Sequence, residues 1–118
     1  MSSHPNALLV LILTPDDLAR QTYRAILAGA GIGKDDDLKL CDGCLLSHKV
    51  MEDNYDDGIQ IKAPEGSIVF YSFLTYGYGE RITWDKAQSF KETIEKWAIG
   101  VCERHHCNYE ISIGANYW

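Results

Sequence analysis

The sequence lacks a cluster of basic residues and a long apolar run, and each absence excludes a class of function. Its 11 lysines and arginines are scattered along 118 residues. Nonspecific binding to nucleic acid needs clustered cations that contact phosphates, so direct binding to nucleic acid is not expected. The longest apolar run, residues 7–13, has about a third of the length needed to cross a bilayer.

The N-terminus has little of what a secretory signal needs. Residues 1–6 are polar and contain no lysine or arginine, whereas a signal peptide begins with positive charge before its apolar core. We therefore expect a cytoplasmic protein without a membrane partner, in which the cysteines stay reduced. The composition, 46% hydrophobic and 24% charged, is that of a globular protein, and the length predicts one domain over residues 1–118.

What the sequence does have is one strongly acidic segment. Residues 35–57, the acidic segment, hold eight acids against two bases and therefore carry the whole net charge of −6. A charge asymmetry this local suggests a surface directed at a positive partner. The predicted partner-binding residues are Asp35, Asp36, Asp37, Asp42, Glu52, Asp53, Asp56 and Asp57.

The acidic segment leads to the main functional hypothesis, an inhibitor that binds a basic protein surface. A small acidic domain can occupy the cleft of a nuclease or another nucleic-acid-handling enzyme, with carboxylates in place of phosphates. Toxin-immunity proteins and phage-encoded inhibitors of host defence are of this kind, although the similarity is one of type and rests on no shared motif. The alternative is a solvated loop without a partner, as many acid-rich loops are.

The first half of the chain predicts a strand and a helix. Residues 7–13 indicate a strand buried on both faces, because they form a continuous apolar run rich in β-strand formers. Thr14 and Pro15 then predict a helix start, with Thr14 as the cap and Pro15 in the first helical position. Apolar residues follow at helical spacing, and glycines from Gly29 onward end the helix.

Within the acidic segment, Asp42-Gly43 between two short apolar stretches predicts a β-hairpin. A short helix over residues 44–51 is the competing interpretation. Residues 52–58 are polar and predict an exposed loop.

The second half predicts two strands, a long helix and a last strand. Residues 59–62 alternate between apolar and polar, which indicates a strand with one wet face, and residues 67–76 indicate a central strand. Thr83 is the expected cap of the clearest helix, and residues 108–113 alternate as a final strand. The apolar stripe of that helix is Ala87, Phe90, Ile94, Trp97, Ala98 and Val101.

The resulting strand–helix–strand–strand–helix–strand order predicts an α+β fold. Two amphipathic helices would cover one face of a mixed or antiparallel sheet in a two-layer sandwich. The order matches a ferredoxin-like arrangement, with residues 35–57 as an acidic hairpin or loop inserted after the first helix.

Four cysteines offer a second hypothesis, a small zinc-stabilised regulatory module. The candidate metal ligands are Cys41, Cys44, Cys102 and Cys107. Across the predicted hairpin turn, Cys41 and Cys44 would face each other at about 5.5 Å between Cα atoms. The spacing between Cys102 and Cys107 is not that of a standard zinc knuckle, and buried reduced thiols are the alternative. A redox Cys-x-x-Cys site is disfavoured, because such a motif usually opens a helix.

A third hypothesis is a small enzyme with a cysteine thiolate beside His105 or His106. The sequence identifies no third group to orient such a pair, so no catalytic residue is assigned and an enzyme is not expected. The glycines of residues 29–33 lack the Walker pattern, and residues 53–58 lack the ligand positions of an EF-hand. Looser binding of Ca²⁺ or Mg²⁺ by the acidic segment stays open.

Overall fold

The computed structural model describes residues 5–15, 20–33, 35–41, 44–76, 80–81 and 83–117. Within those residues the chain forms two helices and nine strands. In chain order they are β1 (Pro5–Pro15), α1 (Arg20–Gly29), β2 (Leu38–Cys41), β3 (Cys44–Val50), β4 (Tyr55–Asp56), β5 (Ile61–Lys62), β6 (Ile68–Phe73), β7 (Thr75–Tyr76), β8 (Glu80–Arg81), α2 (Trp84–His105) and β9 (Cys107–Tyr117). Neither described helix is both long enough and apolar enough to cross a membrane.

Five strands form the main sheet, in the order β2-β3-β6-β1-β9. Each neighbouring pair in this sheet is antiparallel. Two short ladders, β4 with β5 and β7 with β8, lie outside it. The predicted α+β class is therefore confirmed as an antiparallel sheet combined with two helices.

Strand β1 lies inside the sheet, between β6 and β9. The side chains of residues 8–13 are each at most 5% exposed, which confirms the prediction of a strand buried on both faces. Because successive side chains of a strand point to opposite faces, the two sides of β1 need two separate covering layers.

Both helices cover one face of the sheet. Leu9, Leu11 and Leu13 of β1 lie in one buried cluster with residues of α1 and α2. The predicted stripe of α2 supplies its share of this cluster, with Phe90, Ile94, Ala98 and Val101 buried. Thr83 is the N-cap, as expected, and its side chain accepts a hydrogen bond of 3.2 Å from the amide of Lys86.

The predicted start of the first helix is wrong. Thr14 and Pro15 belong to β1 and lie opposite Asn108 and Cys107 of β9. The Thr14 hydroxyl is 3.2 Å from the hydroxyl of the buried Ser67, instead of capping a helix. The described helix begins at Arg20, and residues 16–19 lie outside the described part of the chain. Pairing along the full length of β9 outweighs the local preference of a Thr-Pro pair for a helix start.

The opposite face of the sheet is covered by residues 51–63, the outer segment. Its four buried side chains, which pack with Leu8, Val10 and Ile12, are those of Met51, Ile59, Ile61 and Ala63. The expected alternation over residues 59–62 is confirmed, since Gln60 and Lys62 are exposed. However, the strand is limited to Ile61–Lys62 and pairs with β4, and not with the main sheet.

The hairpin predicted inside the acidic segment is present. Cys41 lies opposite Cys44, and Leu38 lies opposite Leu46, so the competing helix over residues 44–51 is wrong. The turn residues Asp42 and Gly43 lie outside the described residues. Since β3 also pairs with β6, the middle of the acidic segment is a strand of the main sheet, whereas the sequence predicted a hairpin or loop inserted outside the basic fold.

Candidate functional site

The carboxylates of the acidic segment form two groups that flank the β2–β3 hairpin along the chain. One group precedes β2 and the other follows β3. The exposed members are Asp35, Asp36, Asp37, Glu52, Asp53 and Asp57, and we call these six residues the acidic surface. Asp56 is partly buried, and Asp42 lies outside the described residues. The predicted exposure of residues 52–58 is thus confirmed except at Asp56.

Two carboxylates of the first group accept hydrogen bonds that shape the loop before β2. The amide of Gly33 donates to Oδ2 of Asp36 at 2.9 Å. The hydroxyl of Ser47, in β3, donates to Oδ1 of Asp37 at 3.3 Å. A carboxylate that accepts such bonds is oriented by them, so this part of the acidic surface is attached to the sheet.

His48 attaches the same loop to the helix layer. Its Nε2 is 2.8 Å from the backbone oxygen of Asp36, and since that oxygen can only accept, Nε2 carries the proton. Nδ1 of the same ring is 2.5 Å from the hydroxyl of Tyr23, within hydrogen-bond distance. Burial, followed by the nearby charge of Asp35, raises the pKa of Tyr23 and keeps this hydroxyl protonated.

No sequence motif predicted a role for His48. The available signal was its alternation with the buried Leu46 and Cys44 along β3, which places the imidazole on the helix side of the sheet. There it contacts the ring of Phe70 at 5.7 Å between centroids. A histidine on a core face needs partners for both ring nitrogens, and here α1 and the acidic segment provide them.

The second group of carboxylates is attached through Asp56. Its Oδ2 is 2.5 Å from Nζ of Lys49, and its Oδ1 accepts from the amide of Ile59 at 3.0 Å. Burial by itself raises the pKa of the Asp56 carboxyl, but the bonds from Lys49 and from the backbone outweigh that effect and lower the pKa. Asp56 is therefore a structural carboxylate that closes the turn of the outer segment onto β3.

Both attachments lie on the same face of one strand. Ser47 and Lys49 are alternate residues of β3, so their side chains project from one face about 7 Å apart. They lie opposite Tyr71 and Val69, which belong to the cluster under the outer segment. The two halves of the acidic segment, far apart in sequence, are thus brought together along β3.

The cysteines form two separate pairs. Cys41 and Cys44 are cross-strand neighbours at the β2–β3 turn, as predicted. Burial raises the pKa of the Cys44 thiol to about 12, with further contributions from the charge of Cys41 and a hydrogen bond with it. The second pair joins the end of α2 to the start of β9, where the Sγ atoms of Cys102 and Cys107 are 2.9 Å apart.

The structure does not bring the four cysteines to one metal ion. Strands β3 and β9 are three positions apart in the sheet, which alone separates the pairs by about 14 Å, and the registers place the two pairs at opposite ends of the sheet. A zinc ion holds each sulfur at about 2.3 Å and cannot bridge that separation. Among the described residues, no group of three or more cysteine, histidine or acidic side chains is placed to hold a metal, and this applies equally to Ca²⁺ or Mg²⁺ at the acidic segment.

Two shallow depressions lie along α2. One, of about 350 Å³, lies where α2 meets β9 and includes Cys102, Cys107, Glu103 and Tyr109. The other, of about 440 Å³, runs along α2. Of the described residues that line them, none is a histidine, so the arrangement expected for a Cys–His enzyme is not formed there.

No protein-family model, curated protein or solved structure matches this chain.

Proposed function

We propose that this protein binds a basic surface of a partner protein through the acidic segment, with carboxylates in place of nucleic-acid phosphates. The observation that carries the proposal is the attachment of both halves of the segment to one face of β3, through Ser47 with Asp37 and Lys49 with Asp56. Because β3 is an inner strand between β2 and β6, these carboxylates sit on the sheet itself.

Attachment to the sheet favours binding because the carboxylates are ordered before the partner arrives. Ordering a side chain or a loop on binding costs free energy, and a preorganised surface avoids part of that cost. At the same time the charges stay available. Glu52, Asp53 and Asp57 form no ion pair with any other described residue, whereas Asp56 is bound to Lys49.

The partner class follows from the charge and its local density. Nucleases and other nucleic-acid-handling enzymes carry basic clefts that contact phosphates, and an acidic protein in such a cleft would act as an inhibitor. Complementary charge would make association fast and strongly dependent on salt. We place the protein in the reducing cytoplasm and assign it to the immunity-protein or phage-encoded anti-defence type.

We further propose that the main sheet is a variant of the ferredoxin-like arrangement. The order β9-β1-β6-β3 together with the two helices on one face supports this, with β2 as an additional edge strand. In this interpretation the acidic segment includes the second strand of the fold.

The test compares two charge-reversed variants with the same change in net charge. The first replaces three exposed acids of the acidic surface, Glu52→Lys, Asp53→Lys and Asp57→Lys. The matched control replaces three exposed acids elsewhere, Glu92→Lys, Glu103→Lys and Glu110→Lys. Asp56 is left intact because its reversal would break the ion pair with Lys49. Circular dichroism first establishes that both variants are folded.

Each protein is then used as bait in extracts of the source cell, and captured proteins are quantified by mass spectrometry. We expect a basic nucleic-acid-binding protein that wild type and control capture equally and the first variant loses by at least about tenfold. With that partner purified, the affinity should fall steeply with salt, and a DNA duplex should compete. If no protein distinguishes the first variant from the control, the proposal is wrong. If the first variant fails to capture this protein but DNA does not compete for it, the partner is still basic, but the carboxylates do not mimic nucleic acid.

A further inference from the structure

The junction between α2 and β9 brings two cysteine thiols into contact. α2 ends at His105, and His106 adopts the left-handed conformation with φ of 52° and ψ of 63°, which reverses the chain. Cys107 then begins β9 opposite Pro15. The reversal places Sγ of Cys107 at 2.9 Å from Sγ of Cys102, in the last turn of the helix. A disulfide bond would require the sulfurs to approach by about a further 0.9 Å.

One of the two thiols is accessible and the other is sheltered. Cys102 is partly exposed and Cys107 is 9% exposed. Both line the shallow depression of about 350 Å³ between α2 and β9. A small reagent in this depression can therefore reach Cys102, while the sulfur of the more buried Cys107 lies 2.9 Å away. This is the arrangement of an attacking thiol with a resolving thiol.

We propose that Cys102 and Cys107 form an oxidisable dithiol site whose substrate is a low-molecular-weight disulfide of the glutathione class. The Cys102 thiolate attacks one sulfur of glutathione disulfide, which forms a mixed disulfide and releases one glutathione thiolate. The Cys107 thiolate then attacks the Cys102 sulfur and releases the second. The protein dithiol loses two electrons, glutathione disulfide gains them, and the two cysteine protons end on the two glutathione thiols.

The hairpin pair provides an internal comparison within the same chain. Cys44 is fully buried, and burial raises its pKa to about 12, so its thiol stays protonated near neutral pH. A cysteine that stays protonated cannot resolve a mixed disulfide efficiently. Exchange at Cys41 and Cys44 should therefore be much slower, although these cysteines are also neighbours.

The two pairs can be distinguished in the wild-type protein. Reduced full-length protein is incubated near neutral pH for a fixed short time with glutathione buffers of increasing disulfide fraction, quenched with acid, alkylated and digested with trypsin. Trypsin cleaves after Arg104, so the proposed bond links peptide 97–104 to peptide 105–118. Cys41 and Cys44 remain together on peptide 40–49, because no lysine or arginine separates them.

We expect the linked peptides to be the main oxidised product, formed at about tenfold lower glutathione disulfide than any oxidation of peptide 40–49. The Cys107→Ser variant should retain glutathione on Cys102, and the Cys41→Ser variant should form the linked peptides as wild type does. Oxidation should also raise the melting temperature, by about 5 °C. A stable glutathione adduct on Cys102 in the wild type, or earlier oxidation of peptide 40–49, would overturn the proposal.

Discussion

At the scale of single residues, the acidic segment contains two neighbouring carboxylates with different roles. Asp56 is bonded to Lys49 and to the Ile59 amide, whereas Asp57 is exposed. Bonding lowers the pKa of Asp56 in spite of its burial, so its contribution to stability is present at neutral pH and is lost as pH falls through that lowered pKa. Asp56→Asn should therefore decrease the free energy of unfolding by about 1 kcal/mol at neutral pH, with no difference from wild type in strong acid, as measured by urea denaturation.

Asp57→Asn is the matched control for this prediction, because it removes the same charge one residue away. Its free energy of unfolding should stay within about 0.5 kcal/mol of wild type at every pH. Equal destabilisation by both substitutions, or a loss at Asp56 that persists in strong acid, would show that the bond to Lys49 is not the cause.

Residue roles of this kind could not be read from the sequence. The count of acids located the acidic segment, but Asp56 counted the same as Asp53 because its partner Lys49 comes from the tertiary fold. His48 was missed for the same reason, since its partners belong to α1 and to the loop before β2. What the sequence does predict is exposure, because a charged side chain without a partner stays in water.

At the scale of elements, the outer segment crosses so close to β9 that a glycine is needed beneath it. A Cβ atom added at Gly114 would lie 2.8 Å from Cδ1 of Ile61 and 3.1 Å from Cγ2 of Val10. The side chains would have to shift in a layer that is already packed, so Gly114→Ala should destabilise the fold by about 1–3 kcal/mol. The measurement is the shift in the urea midpoint followed by circular dichroism.

Gly29→Ala makes the same chemical change at the end of α1, where an added Cβ meets nothing within 4 Å. Alanine is favoured over glycine in a helix, so this variant should be as stable as wild type or more so. If Gly114→Ala is as stable as Gly29→Ala, the outer segment does not pack closely enough on β9 to exclude a Cβ atom at position 114.

Secondary structure that depends on local sequence patterns was predicted correctly, whereas the place of a segment relative to the sheet, which depends on its tertiary contacts, was not. The stripe and the Thr83 cap determine α2 locally, and the apolar run over residues 7–13 required cover on both faces of β1. The alternation at residues 59–62 correctly separated buried from exposed side chains. It could not show that Ile59 and Ile61 cover the sheet from outside, because the same alternation serves a strand within a sheet.

At the scale of the whole molecule, both covering layers depend on the same strand. The helices bury Leu9, Leu11 and Leu13, and the outer segment buries Leu8, Val10 and Ile12. Since β1 also joins β6 to β9, loss of either layer exposes a strand that the other layer needs. Residues 1–118 should therefore unfold as one cooperative unit, which is the single domain that the length predicts.

The test combines a cavity-forming substitution in one layer with a fluorescence probe in the other layer. Met51→Ala removes a side chain that is 2% exposed in the outer segment, at a cost of about 2–5 kcal/mol. Trp97 reports the helix layer, where its ring lies 5.1 Å from that of Phe70, once Trp84 and Trp118 are replaced by phenylalanine. In a cooperative domain, Met51→Ala shifts the urea midpoint of Trp97 fluorescence as far as that of circular dichroism. Ile94→Ala, in the helix layer, should shift both probes together as well. A fluorescence midpoint that stays at its wild-type position in Met51→Ala would mean that the outer segment unfolds by itself.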